Sequence, residues 1–331
     1  MIVTLAGGVG AARMLAGLVQ VVDPADITAV VNVGDDLELH GLHISPDLDT
    51  VTYTLADAIN TETGWGLTGE TWQARSMLER YGGVSWFGLG DRDLGTHLYR
   101  TQRLSEGADL ATVTAEIAAA WDLRLRIVPA TNDRLRTMVT LAADDPEGPG
   151  SPGLSAGSEI GFQEYFVQRH HAVPVASIRV DGADTARPTP GVLEAIAAAE
   201  AVVVAPSNPI VSIGPVLAVP GLQEAVSARR DQVVAVSPIV AGTALKGPAD
   251  RMLVELGHEA SVVGVARLYA AFAGTLVIDE ADAGQAEAVE AEGMRCVVTP
   301  TVMRTPAAAA ALARATLAAV GVATADPEGT P

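Results

Sequence analysis

The sequence predicts an α/β fold with a mainly parallel sheet and a helical insertion. Three observations carry this. Several apolar runs are unbroken Val/Ile/Ala segments without polar alternation, as suits strands covered on both faces. These runs alternate with segments of helical apolar spacing. One long stretch, Asp57 to Trp121, has helical patterns but no strong strand.

In chain order, strands are predicted at Ile2–Leu5, Ile27–Val33, Leu123–Val128, Val202–Ala205, Val233–Val236, Ser261–Val265, Thr275–Ile278 and Cys296–Val298. Helices are predicted at Gly10–Val21, Thr71–Tyr81, Leu110–Trp121, Val192–Ala199, Pro215–Ser227, Pro248–Leu256 and Pro306–Val320. The last begins with Thr305 placed to cap and Pro306 at the first helical position. The core is expected over residues 1–56 and 122–321, the insertion over 57–121, and a frayed tail over 322–331. The Gly-, Pro- and acid-rich stretch Asp144–Gly161 is expected to form the tip of a hairpin joining Met138–Leu141 to Phe162–Val167.

The 331 residues are enough for a large core. No apolar run is long enough to span a bilayer. The N-terminal run lacks a basic leader and a cleavage site, so it reads as a strand. A single cysteine, Cys296, excludes an intrachain disulfide framework and a multi-cysteine zinc site, and a cytoplasmic location is expected. The net charge of −19 argues against nucleic acid and anionic membranes as partners. A small anionic substrate is compatible with it, held by a few cations, a helix N-terminus or a metal. Lys246 is the only lysine among 21 basic residues. Arginine replacing lysine in a GC-rich genome accounts for that bias.

In open α/β sheets, ligands bind beyond the carboxyl ends of the strands. After the first strand comes AGGVGAAR, residues 6–13. Counting from Gly8, the last glycine of a dinucleotide fingerprint is replaced by Arg13, and no Gly-Lys-Ser/Thr follows. Gly7, Gly8 and Gly10 therefore suit a phosphate turn of another kind, with a sharp structural corner as the plainer reading. After the second strand, Asp35 stands where nucleotide folds carry a ribose-hydroxyl acceptor, or where a turn carries an Asx residue.

Next, Asp47 and Asp49 form a D-x-D ahead of an apolar helix. The two carboxylates can share Mg²⁺ and so bridge diphosphate oxygens, or one caps the helix while the other favours its dipole. His40 and His43 lack a third ligand and read as polar loop residues. In Leu89–Arg100, helical spacing groups Arg92, Thr96 and Arg100 on one face and Asp93 with His97 on the next. A solvated face of paired charges is the alternative, although Gly95 is a poor choice for a purely structural helix. Polar loops follow at Asn132–Asp133, at Ser207–Asn208, and around Lys246, a residue type usually found at the surface but here set to reach a phosphate. Together these loops form a polar rim on an apolar sheet.

The runs AGGVGAAR, VVNVGDD, ISPDLDTVTYTL, LGDRDLGTHLYR, PATNDR, APSNPIVSIGPVL and VSPIVAGTALKGPADRML occur in order from residue 6 to about residue 253. With them the chain resembles the 2-phospho-L-lactate transferase family, whose actinobacterial members act as phosphoenolpyruvate transferases in making the deazaflavin coenzyme F-420. The resemblance implies a Rossmann-like core, a homodimer and a requirement for Mg²⁺. It implies the deazariboflavin Fo as acceptor and a guanosine diphosphate ester of a three-carbon acid as donor. The terminal ribityl hydroxyl of Fo would attack the phosphorus bearing the acid, and GMP would leave.

In that scheme Asp49 is the catalytic, acceptor-binding aspartate, which would orient the hydroxyl, deprotonate it, or ligate the metal together with Asp47. Arg92, Thr96, His97, Asn132 and Asp133 face the acceptor. Gly7, Gly8, Gly10, Asp35, Ser207, Asn208 and Lys246 hold the nucleotide and its phosphates. The Ala- and Arg-rich composition suits an actinobacterial source and hence the enolpyruvyl donor. Ala11-Ala12 and the length of the 144–161 stretch depart from the family pattern. Three other readings compete: a nucleotide-sugar glycosyltransferase with a D-x-D metal site, an NAD-dependent dehydrogenase, and a guanine-nucleotide-binding regulator without chemistry.

Overall fold

A computed structural model describes residues 1–147 and 151–324. The tip of the 144–161 stretch and most of the expected tail lie outside the described residues. The centre is a seven-stranded sheet with every neighbouring pair parallel. Its first strands are β1 (Ile2–Ala6) and β2 (Ile27–Val31), followed by the hairpin β3 (Leu37–Leu39) and β4 (Leu42–Ile44) outside the sheet. β5 (Arg126–Pro129) returns to the sheet edge. A second, antiparallel sheet contains β6 (Arg136–Leu141), β7 (Glu159–Gly161) and β8 (Val175–Asp181). The main sheet continues with β9 (Ala201–Val204) and β10 (Val233–Val236). After the small hairpin β11 (Ile239–Val240) and β12 (Thr243–Ala244), it ends with β13 (Thr275–Ile278) and β14 (Arg295–Val298).

The spatial order is β14-β13-β10-β9-β1-β2-β5. From β1 the chain runs outward through β2 to β5, then crosses back to β9 on the other side of β1. The carboxyl ends of β1 and β9 therefore form a topological switch point, where adjacent loops diverge and leave a crevice. The Val, Ile and Ala residues of β1, β2, β9 and β10 are buried, which explains their unbroken apolar runs.

Helix α1 (Gly8–Leu18) follows β1 directly, and α2 (Pro46–Leu55) follows β4. Three helices occupy residues 57–121: α3 (Gln73–Arg80), α4 (Asp93–Ser105) and α5 (Leu110–Ala120). The C-terminal helix Pro306–Ala318 packs on α1. The backbones approach so closely that a Cβ on Gly17 would run into the Ala309 carbonyl. Thr305 caps that helix by accepting from the Ala308 N–H at 3.2 Å, as its start signal predicts.

Three local expectations are corrected. Ser261–Val265 is not a strand; Val262–Tyr269 is a helix whose Ser261 Oγ accepts from the Gly264 N–H at 3.0 Å. A short, fully buried apolar run has no periodicity that separates the two. The Met138–Leu141 strand does pair antiparallel, but with Glu159–Gly161; Phe162 lies just past that strand, and Glu164–Gln168 is a π-turn burying Tyr165. Finally, Pro215–Ser227 is broken into two helices around Gly221, at φ 87°.

Two glycines near the site differ in why they are there. A Cβ on Gly10 would meet the Pro206 carbonyl, whereas one on Gly95 in α4 would meet nothing within 4 Å. Gly10→Ala is therefore expected to destabilise the fold by about 2 kcal/mol. Gly95→Ala is expected to stabilise it by roughly 0.5–1 kcal/mol through helix propensity. Urea unfolding of the two variants checks both signs.

Candidate active site

The switch-point crevice opens into a cavity of about 550 Å³. One wall is the turn from β1 into α1. Gly7 is extended and Gly8 stands at φ 70°, so the first turn of α1 lines the cavity, with the Gly8 N–H bonded to the Asp47 carboxylate. The loop after β9 presses on this turn: Ser207 Oγ donates to the Gly7 carbonyl at 2.8 Å, and a Cβ on Gly7 would lie 2.7 Å from Ser212 Cβ. Asn208 turns that loop, its side-chain oxygen accepting from Ile210 N–H at 2.9 Å.

Helix α2 divides the site. Ser45, not an aspartate, occupies its cap position, and Pro46 is the first helical residue. Asp47 and Asp49 both lie in the first turn. Two residues apart on a helix, they point about 200° from each other. Asp47 faces the glycine turn and accepts from Asn32 Nδ2 at 2.9 Å. Asp49 faces α4, where Arg100 grips both of its oxygens, Nη1 to Oδ2 at 3.1 Å and Nη2 to Oδ1. The two carboxylates are therefore not paired with each other.

Beyond Asp49 a buried polar chain runs along α4. His97 Nδ1 is 3.7 Å from Asp49 Oδ2, and its Nε2 is 3.3 Å from Asp93 Oδ2. Tyr53 on α2 donates to Asp93 Oδ1 at 2.6 Å, and its oxygen lies 2.7 Å from Thr96 Oγ1. Burial opposes ionisation of Asp93, but the hydrogen bonds of His97 and Tyr53 and the charge of Arg100 outweigh it and hold the pKa below the usual value. Burial also opposes the Arg100 charge and is outweighed by Asp49. Asp49, Asp93 and His97 offer ligand atoms all within 4.8 Å of one another, a donor set fit for a divalent cation.

On the other side of α2 the balance reverses. Asp35 and Asp47 are buried beside the nearly buried Asp36, and Asp35 Oδ1 has no hydrogen-bond partner among the described residues. Burial, then the Asp47 charge, raises Asp35 well above the carboxylate range. Burial pushes Asp47 up to about 7. Asp36 is also raised by burial, though His43 Nε2 lies 3.1 Å away and Ser45 Oγ donates to it at 2.7 Å.

The residues singled out from the sequence divide clearly. Gly7, Gly8, Gly10, Asp35 and Asp47 line the cavity, as do Asp49, His97, Ser207, Asn208 and Lys246. Arg92, Thr96, Asn132 and Asp133 do not line it. Arg92 is exposed and its guanidinium bonds the Thr68 carbonyl. Thr96 touches the site only through Tyr53. Asn132 accepts from Ala111 N–H at the start of α5, and Asp133 from Arg187 N–H. On α4 the inward face is Asp93, His97 and Arg100, so Arg100 belongs with the second group rather than with Arg92.

Sequence reasoning missed Tyr53, the pairing role of Arg100, and the aromatic wall. The chain has four phenylalanines, and Phe87, Phe162 and Phe166 all line the cavity, with Trp65. Phe162 and Phe166 stack at 5.5 Å. Their scarcity was the available signal.

A buried carboxylate–histidine site beside a glycine turn, at the switch point of a parallel sheet, defines a Rossmann-like α/β enzyme. Comparison with known proteins specifies it further. The family profile of 2-phospho-L-lactate transferase CofD matches residues 2–313, and the chain belongs to that family, a family of transferases. It is 46% identical to the phosphoenolpyruvate transferase of Streptomyces griseus, covering 96% of this chain and 97% of that one. Identity to the phosphoenolpyruvate transferase of Nocardia farcinica is 42%, covering 97% and 95%. It is 40% to that of Mycolicibacterium smegmatis, covering 97% and 99%. A UPF0052-family protein from Bacillus halodurans, solved at 2.60 Å, shares the fold at a TM-score of 0.59 and 17% identity, over 96% of this chain and 98% of that one. No helix among the described residues is long and apolar enough to cross a membrane.

Two expectations follow from the electrostatics. Native Asp47 keeps its proton up to about pH 7, whereas the unfolded chain loses it near 3.8. The native state thus binds more protons in between, and this group lowers stability as pH rises across that window. Asp47→Asn is expected to flatten that slope in chelator-treated, ligand-free protein. It should raise stability at pH 8 by at least about 1 kcal/mol, read by urea unfolding. In contrast, Arg100→Met should cost roughly 3–5 kcal/mol by stranding Asp49, and Asp49→Leu added to it should restore most of the loss.

Proposed function

We propose that the protein transfers a phosphoenolpyruvyl group, or in the alternative a 2-phospholactyl group, from its guanosine diphosphate ester to Fo. The acceptor is the terminal ribityl hydroxyl, GMP is released, and the product is the dehydro form of coenzyme F-420-0, or F-420-0 itself. The observation that carries this reading is one cavity with a glycine turn on one side of α2 and the Asp49–His97–Asp93 chain on the other. Full-length relatives named phosphoenolpyruvate transferase support the choice of acid.

The hydroxyl oxygen of Fo attacks the phosphorus that bears the acid. The bond from that phosphorus to the oxygen bridging to GMP breaks, and GMP leaves with the bridging oxygen. The hydroxyl proton passes to Asp49, which Arg100 holds in position from behind. His97 and Asp93 sustain the local charge arrangement. Phe87, Phe162, Phe166 and Trp65 offer flat apolar surface to the deazaflavin ring. The amides at the start of α1, with Ser207, Asn208 and Lys246, take the diphosphate. In phosphoryl transfer, such positioning and charge neutralisation supply most of the rate.

Mg²⁺ is the cofactor of this reading. Asp49, Asp93 and His97 are fit to hold it, and the unpartnered Asp35 oxygen beside Asp47 is a second carboxylate donor set. When bound it would neutralise diphosphate charge. Residues 57–121 act as the insertion that supplies the acceptor side. The enzyme works as a cytoplasmic homodimer.

The test is to incubate the protein with Fo, Mg²⁺ and either the enolpyruvyl or the lactyl guanosine diphosphate ester, and to follow GMP and the deazaflavin phosphodiester by mass spectrometry. Product from one donor is expected. No product from either would overturn the reading. Asp49→Asn is expected to lower turnover at least roughly tenfold, about 1.4 kcal/mol of barrier.

A further inference from the structure

The sole lysine does more than line the cavity. Lys246 Nζ reaches across to donate to the Thr63 carbonyl at 3.3 Å. Thr63 belongs to the 60–66 loop, before α3, and Lys246 to the loop between β12 and the helix Ala249–Glu255. Gly64, Trp65 and Gly66 line the cavity from the first loop, and Leu245, Lys246 and Gly247 from the second. Gly64 stands at φ 74°, and a Cβ there would run into Lys246 Nζ. The 60–66 loop is thus shaped to admit the ammonium. Its own turn is closed by Gly64 N–H to Asn60 O at 2.8 Å and Asn60 N–H to Gly66 O at 3.0 Å.

A second cation faces the same cavity. Arg13, on the first turns of α1, also lines the cavity and is exposed. The Lys246 pKa is lowered, by desolvation first and then by the Arg13 charge, so the two cations feel each other. Neither makes an ion pair among the described residues, although acids outnumber bases 40 to 21 in the chain. Two neighbouring unpaired cations in so acidic a protein are an arrangement that an anion would complete. Trp65 and Leu245, on the two facing loops, are both large apolar residues left exposed. Closer approach of the loops would cover them.

We propose that Arg13 and Lys246 form a cationic clasp for the diphosphate of the donor, and that Lys246 uses its Thr63 contact to tie the 60–66 loop over the occupied cavity. This rests on the guanosine-diester reading above. An ammonium has three donors, so one can stay on Thr63 while the others take phosphate oxygens. Arg13 contributes affinity only, because no hydrogen bond or ion pair ties it to the 60–66 loop among the described residues. The residue that spoils a dinucleotide fingerprint thereby acquires a role.

The two parts separate experimentally, with GDP as the probe. Affinity is measured by calorimetry, and amide hydrogen exchange at residues 60–66 by mass spectrometry. In the wild type GDP should bind and slow exchange there. Arg13→Gln and Lys246→Gln should each weaken GDP binding about tenfold or more, and neither should alter the binding of uncharged guanosine. At saturating GDP, Arg13→Gln should keep the loop protection and Lys246→Gln should lose it, while Lys246→Arg should regain part of both effects. Wild-type GDP affinity in both glutamine variants, or full protection in saturated Lys246→Gln, would overturn the clasp with the guanosine reading intact. Failure of GDP to bind the wild type would overturn both.

Discussion

The first turn of helix α2 is the constraint on which the site depends. Two aspartates spaced two apart cannot face the same way on a helix, so Asp47 and Asp49 divide the cavity between them. Asp47 looks toward the glycine turn and Asn32. Asp49 looks toward α4 and is gripped by Arg100. That buried ion pair also fastens the inward face of α4 to α2, which packs on α1 beside the central sheet. One helix turn therefore joins the glycine-turn side of the cavity to its α4 side.

The two sides are built on opposite electrostatic terms. Around Asp49 the charges are answered by Arg100, by the chain through His97 to Asp93, and by the Tyr53 hydroxyl. Around Asp47 three carboxylates crowd together with hydrogen bonds but no arginine or lysine partner among the described residues, and burial raises all three. Such an arrangement costs stability in the ligand-free chain, and fold stability alone does not call for it. It is the trade expected where a site must receive a cation or a proton. The glycines are a further consequence: Gly7 and Gly10 are required because the loop after β9 lies directly against the turn after β1.

The fold was legible because parallel strands covered on both faces leave unbroken apolar runs, as in β1, β2, β9, β10 and β13. The same feature misled at 261–265, where a buried helix of eight residues presents an equally unbroken run. The polar half of the site was legible wherever a strand end or a helical spacing set the geometry locally, as at Gly7–Gly10, Asp35, Asp47, Asp49 and the Asp93–His97 pair. What escaped was set by tertiary packing. Arg100 was grouped with Arg92 on helical spacing, yet α4 turns it inward with Asp93 and His97. Asn132 and Asp133 have suitable chemistry at a suitable strand end. However, the start of α5 and the Arg187 amide engage them away from the cavity. The aromatic wall gathers residues from 65 to 166, and no local pattern joins them.

The central claim is that one cavity holds donor and acceptor together, on opposite sides of α2. The most direct measurement is a titration of the protein with Fo, followed by the fluorescence of the deazaflavin, with and without saturating GDP. Simultaneous binding is predicted: GDP should leave Fo affinity unchanged or strengthen it, and Asp49→Asn should weaken Fo while sparing GDP. Displacement of Fo by GDP, or loss of GDP binding in Asp49→Asn, would contradict the account.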